Sequence, residues 1–292
     1  MKIGIIGGGS IGLLFAFYLS EEYEVTIYTN TFEQADAIKK NGILLKHKNN
    51  EQTRFVNSNW IKQWSGQEDL TIIAVKQYHL EDLISKLKEQ QIKKTNYIFL
   101  QNGMGHLKFL KELNADVIFV SSVDHGAYRE SFHSVLHNGI GQAKLAQYKG
   151  EFDLPQAFFS IPNFSIVMEK DYFEMLLKKL VANSVINSLT AVLRVTNGEI
   201  INNPHYFCNV QNLFNEIEEI LQLKQGEIYF NEVINICHKT SSNRSSMLKD
   251  LESKRPTEVD AILGYILEEA EVKNVKAPIC QTLYHIIKGS EK

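Results

Sequence analysis

Residues 2–20 read KIGIIGGGSIGLLFAFYLS, and the fold is decided there. KIGII (2–6) has the length and apolar character of a short buried strand, and GLLFAFYLS (12–20) reads as an apolar helix leaving the glycines directly. Between them Gly7, Gly8, Gly9, Ser10, Ile11 and Gly12 fit G-x-G-x-x-G. Such a match is weak in isolation. Here a strand precedes it, a helix follows it, and a second strand, EVTIY (24–28), comes next, which is the context of a dinucleotide-binding fingerprint. Gly7 permits the tight turn, Gly9 leaves room for backbone to approach a pyrophosphate, and Gly12 lets helix and strand pack closely. The phosphates would sit on free N–H groups at the helix N-terminus.

A charged start followed by an apolar run also resembles a signal peptide. The glycines interrupt that run and no small-x-small cleavage site follows. No other long apolar run stands out, which argues for a soluble, cytoplasmic protein.

Working outward, FEQADAIKKNG reads as a helix closed by Gly42. LTIIAV (70–75) is a continuous apolar strand of the kind covered on both faces. HLEDLISKLKE (79–89) is amphipathic helix, YIFLQNG (97–103) strand then turn, and DVIFVSSV (116–123) strand. This alternation predicts a parallel sheet with right-handed crossovers. Residues 131–167 read as short strands and turns. Helical segments are then expected over 171–194, 204–223, 226–238, 257–272 and 278–289. The expected class is α/β: an N-terminal Rossmann dinucleotide-binding domain over 1–168 and a C-terminal all-helical domain over 169–292.

The chain has 292 residues and a formal net charge of -3, which gives no electrostatic case for a nucleic-acid partner. Cys208, Cys237 and Cys280 are too far apart for a metal pattern or a disulfide framework, and fit a reducing compartment. The histidines show no zinc spacing, so no metal is expected. His106 and His125 read as structural, since nothing orients either as a base.

The end of the second strand discriminates between dinucleotides: an acid there favours the ribose hydroxyl, an arginine the 2′-phosphate. Here it reads Tyr28-Thr29-Asn30-Thr31, neutral groups that serve NADPH or NADH. Lys179, Asn183 and Asn187 lie at i, i+4 and i+8, where each step turns about 40° around the helix axis. They form one polar stripe on an otherwise apolar helix, either amides satisfying neighbouring loops or a ligand face. Lys179 is by type a common surface residue. Lys76 and Asn102 each follow a strand, at the edge where open α/β sheets bind ligands; a surface charge and a plain Asn-Gly turn are the bland readings. Glu258 sits where a helix dipole favours an acid, Thr257 with Asp260 resembles a capping box, and Ser245-Ser246 resembles a helix cap.

Five segments taken together resemble the ketopantoate reductase family over essentially the whole chain: GIIGGGSIG (4–12), AVKQYHLEDL (74–83), FLQNGMGH (99–106), KLVANSVINSLTAVLRVTNGEI (179–200) and NRSSMLKDLESKRPTEVDAILGY (243–265). The resemblance implies NADPH-dependent reduction of 2-dehydropantoate to pantoate, on the route to pantothenate and coenzyme A. It implies Lys179 as catalytic lysine, Asn183, Asn187, Ser246 and Glu258 as substrate-binding residues, and Lys76 and Asn102 on the nicotinamide and active-site side. One departure stands out: members often carry a basic residue where this chain has Asn30. Two rival readings remain, a reductase of another 2-keto acid on the same scaffold and a non-catalytic dinucleotide-binding sensor. The expected partner is a small-molecule 2-keto acid, with no nucleic acid or membrane, the protein being a monomer or homodimer.

Overall fold

The apolar runs become the strands at the centre of a sheet. The computed structural model describes residues 1–89 and 96–291, and the chain divides into two compact units: Met1–Gln101 with Leu107–Met175, and Asn102–His106 with Leu176–Lys292. The second unit thus takes in a short segment far ahead of residue 168, and the first turn of the long helix near residue 172 counts with the first unit.

The first unit runs β1 (Lys2–Ile6), α1 (Ser10–Leu19), β2 (Glu24–Thr29), α2 (Phe32–Asn41), β3 (Ile43–His47), β4 (Asn50–Arg54), β5 (Asn57–Trp60), β6 (Leu70–Ile73), α3 (Leu80–Glu89), β7 (Asn96–Phe99), the short α4 (Leu107–Leu110), β8 (Val117–Val123), β9 (Gly126–Arg129), β10 (Ser134–Gly139), β11 (Gln142–Lys149) and β12 (Ser165–Glu169). One sheet has the order β12-β11-β8-β7-β6-β1-β2-β5. From β5 to β8 every pair is parallel, as the alternation of strand and helix predicts. β11 departs from that expectation and lies antiparallel to β8. The chain leaves β8, makes the antiparallel pair β9–β10 and returns as β11, and such a short path needs no crossover helix.

A second sheet, β4-β3-β10-β9, was not expected. Helix α1 packs against β1 and β2 on one side and against β3, β9 and β10 on the other. A helix covered on both sides has no solvent face, which is why every residue from Gly12 to Leu19 is buried and the segment is apolar all round. Fully burying each such Leu or Phe contributes about 1.5–3 kcal/mol. The leader-like composition of residues 12–19 is therefore a core requirement. Beside it Tyr18 Oη meets His137 Nδ1 at 3.0 Å, and His125 Nδ1 lies 3.2 Å from His137 Nε2.

The second unit is helical: α5 (Tyr172–Leu193), α6 (Glu199–Asn202), α7 (Pro204–Leu221), α8 (Gly226–Lys239), α9 (Ser246–Glu252), a π-helical turn (Asp260–Gly264), α10 (Tyr265–Lys273) and α11 (Pro278–Ser290). Contrary to the sequence reading, which found no other long apolar run, α5 is long and apolar enough to cross a membrane, yet 72% of its most apolar window is buried within the protein, so packing accounts for its composition. Its buried hydroxyls are satisfied locally, Ser184 Oγ donating to Leu180 O at 2.7 Å and Thr190 Oγ1 to Ile186 O at 2.6 Å. Asn203 caps α7, accepting from His205 N at 2.9 Å, with Pro204 at the first helical position. The continuous helix expected over 257–272 instead begins with the π turn, and the Thr257–Asp260 capping box does not form. Thr257 Oγ1 donates to Glu291 Oε1 at 2.6 Å, while Asp260 accepts from Tyr284 Oη and Lys288 Nζ.

Candidate active site

The glycine turn lies at the carboxyl edge of the parallel strands. Gly7 N donates to Tyr28 O at 2.9 Å, tying the turn to the end of β2. A Cβ on Gly12 would overlap the Gly7 carbonyl oxygen, so α1 can start this close to β1 only with glycine there. Gly8 is closed in, its carbonyl accepting from Gln34 Nε2 at 2.7 Å and from Arg129 at 3.0 Å. Gly9 is different: nothing lies within 4 Å of where its Cβ would sit. Gly9 is also the N-cap of α1 and no side chain caps that helix. The turn therefore presents an open face backed by the free N–H groups of a helix start at Ser10 and Ile11, which fits a dinucleotide pyrophosphate.

Two more expected residues stand at the same edge. Asn30 is exposed just past β2, and its carbonyl accepts from Trp60 Nε1 at 3.1 Å. Lys76 is half-buried in extended backbone after β6, as the N-cap of a 3-10 turn over Gln77–His79.

The polar residues of the helical unit converge on a narrow crevice lined by Asn187, Ser246, Met247, Asp250, Glu258 and Ile262. Asn187 reaches it from α5, where it is 8% exposed. Ser246 starts α9. Its neighbour Ser245 is the true cap, buried, accepting from Leu248 N at 3.1 Å, with its hydroxyl hydrogen-bonded to Thr190 Oγ1 of α5 at 2.8 Å. The two serines so divide the work: one fastens α9 to α5 and the other is left exposed at the crevice. Glu258 enters just ahead of the π turn, and Asn102 Nδ2 donates to its Oε2 at 2.8 Å. That contact depends on Gly103, whose φ of +74° suits glycine and whose Cβ would overlap the Ala261 carbonyl. The Asn102-Gly103 turn is thereby seated on the backbone of the π turn, an irregularity that often marks functional sites.

Asn187, Ser246 and Glu258 thus come together, with Asn102 bonded to one of them. Lys179 and Asn183 are half-buried on the same helix, two turns and one turn before Asn187, and do not line the crevice. Asp250 was missed by the sequence reading. It is buried on α9 and accepts from Arg255 Nε at 3.0 Å. An acid on the same helix as Ser246 with an arginine five residues on was the available signal. Among the described residues no cluster of His, Cys, Asp and Glu could hold a metal ion. His106 is buried with both ring nitrogens unpartnered, and burial pushes its pKa down to about 4.

A glycine turn at the carboxyl edge of a largely parallel sheet, joined in one chain to a helical unit with its own polar crevice, defines a Rossmann-type dinucleotide-binding protein. Residues 3–150 match the family model for ketopantoate reductase PanE/ApbA, and residues 171–291 match that for its C-terminal part. The chain belongs to the ketopantoate reductase family, whose members are dinucleotide-binding oxidoreductases. It is 41% identical to the 2-dehydropantoate 2-reductase of Bacillus subtilis (strain 168), over 100% of this chain and 98% of that one. It superposes on the crystal structure of the probable 2-dehydropantoate 2-reductase from Bacillus subtilis with a TM-score of 0.92 at 40% identity, covering 99% and 100% of the two chains. D-mandelate dehydrogenase, solved with NADH and anilino(oxo)acetate, shares the fold at a TM-score of 0.87 and 23% identity over 100% and 98% of the chains.

Proposed function

We propose that the protein reduces 2-dehydropantoate to pantoate with NADPH as the preferred donor, a cytoplasmic step towards pantothenate and coenzyme A. The observation that carries this reading is the convergence of Asn187, Ser246 and Glu258 on one crevice, with Glu258 held by Asn102. Its support is a chain 41% identical, end to end, to a reductase of that substrate.

The turn Gly7–Gly12 would hold the dinucleotide, whose chemistry when bound would be hydride donation to the ketone. Everything else falls to side chains. Lys179 Nζ carries a transferable proton and a positive charge, and it stabilises and protonates the ketone oxygen as negative charge develops there. Ser246 and the amide of Asn187 donate to the substrate carboxylate, and Asn183 extends that donor stripe towards Lys179. Glu258 accepts from the substrate hydroxyl. Asn102 fixes the orientation of the Glu258 carboxylate, so the hydroxyl meets an acceptor already in place. Lys76 serves the nicotinamide side.

The test is a substrate panel: NADPH and NADH oxidation with 2-dehydropantoate and with other 2-keto acids, plus dinucleotide binding measured alone. The highest kcat/KM is expected for 2-dehydropantoate with NADPH. A clearly better 2-keto acid would move the assignment to another reductase on this scaffold. Tight dinucleotide binding without turnover of any 2-keto acid would leave a sensor.

A further inference from the structure

The end of β2 offers a phosphate no fixed charge, because Asn30 is neutral where an arginine would give charge-assisted hydrogen bonds. The neighbouring strand supplies one. β5 pairs with β2 in parallel register, Thr29 opposite Trp60. The residues after Trp60 therefore leave the sheet at the same edge as Asn30. They form a 3-10 turn, Ile61–Gln63, which folds back so that Gln63 Oε1 accepts from Trp60 N at 3.2 Å. The Trp60 indole N–H donates to the Asn30 carbonyl at 3.1 Å, and Lys62 Nζ lies 4.2 Å from the centroid of the Trp60 ring. One aromatic ring thus links the lysine to the backbone at the end of β2.

This arrangement leaves the lysine usable. A cation–π contact restrains an ammonium through the ring face without consuming its N–H donors. Lys62 is exposed, and among the described residues its ammonium carries no ion pair. Asn30 is exposed as well, and its side-chain amide makes no hydrogen bond among the described residues. The arginines of this unit are committed otherwise. Arg129 donates to the Gly8 carbonyl at 3.0 Å, and Arg54 pairs with Glu21 at 2.8 Å and donates to Phe17 O at 3.1 Å.

We infer that Lys62, held on Trp60, is the residue that reads a phosphate on the ribose 2′-oxygen of the dinucleotide, with the Asn30 amide as its neutral partner. The charge that the end of β2 lacks is then supplied from β5. This inference rests on the dinucleotide reading given above and adds the determinant of its phosphate preference.

The test is calorimetric titration of the purified protein with NADPH, NADH, adenosine 2′,5′-bisphosphate and adenosine 5′-monophosphate, at low and physiological salt. Lys62→Met should weaken NADPH and the bisphosphate about tenfold, as expected for one exposed charge-assisted contact. It should leave NADH and the monophosphate within about twofold and flatten the salt dependence of NADPH binding. Lys62→Arg should restore both. A wild-type protein that favours the two phosphorylated ligands, with Lys62→Met keeping that margin, overturns the role of Lys62 while the dinucleotide reading stands. A wild-type protein that binds neither dinucleotide refutes that reading itself. Equal wild-type affinity for NADPH and NADH refutes a 2′-phosphate site, and with it this inference.

Discussion

The glycine turn and the crevice around Glu258 show two ways of making a site. The first is made of backbone: its working groups are N–H bonds, and side chains matter there by their absence. The second is made of side chains from four separate stretches of the chain, around residues 102, 187, 246 and 258. A backbone site is local, so a few consecutive residues specify it. A side-chain site is specified only when folding brings distant residues together, and its parts are individually ordinary.

Two glycine substitutions put the backbone site to its hardest test. Gly9→Val should fold normally, because nothing occupies the space its side chain enters. It should abolish dinucleotide binding in a fluorescence titration, since that space is the proposed seat of the pyrophosphate. Gly12→Ala should instead destabilise the fold by about 3 kcal/mol or more, because its methyl group meets the Gly7 carbonyl. Thermal melting separates the two. A Gly9→Val protein that folds and still binds NADPH would remove the fingerprint from the mechanism.

The side-chain site should respond through chemistry. Lys179→Ala should lower kcat by about 100- to 1000-fold, the usual cost of losing an oriented donor or general acid at a developing oxyanion. Its cofactor titration should not change. Turnover within a few-fold of wild type would transfer the proton-donor role to Lys76.

A buried histidine in each unit gives the comparison a pH dependence. His106 is pushed down to about 4 by burial, and His137 to about 4 by burial first and then by repulsion from His125 and His47. Unfolded histidine titrates near 6.5. Between those values the unfolded chain takes up protons that the folded protein excludes, so stability falls as pH drops through that window and is unaffected above it. Each histidine should remove about 2 kcal/mol between pH 7 and pH 5. Denaturant titrations at the two values check this. If His137→Gln leaves the decline unchanged, the first unit does not contribute to it.

The smallest effect belongs to Asn187→Ala. One donor lost from the crevice should raise KM for the keto acid about tenfold, with a lesser change in kcat. A kcat loss as large as that of Lys179→Ala would place Asn187 at the reacting oxygen.

What was legible in the sequence follows the same division. The apolar strands β1, β6, β7 and β8 and the long helices announced themselves, because burial forces a pattern on them. β4 (NEQTR) and β5 (NSNW) did not: they are short and polar, and pairing alone makes them strands. The turn back from β8 to β11 also left no signal, since antiparallel pairing depends on where the chain goes next. Within the crevice Asn187, Ser246 and Glu258 were found through resemblance, whereas Asp250 and the π turn were not. The Thr257–Asp260 capping box failed because Thr257 has a better partner in Glu291, thirty-four residues on, which no local pattern can anticipate.

The way the chain is shared between the units limits how such a protein can be recombined. Asn102–His106 is numbered within the first unit's stretch but belongs to the second. A single splice near residue 168 would therefore exchange most of the helical unit while leaving behind the residue that orients its carboxylate. A chimaera of two family members made with one crossover inherits Asn102 from one parent and Glu258, with its π turn, from the other. Gly103 must then fit an Ala261 backbone it did not arise with. Exchange of whole units needs three junctions, so the two halves are less portable than their separate cores suggest.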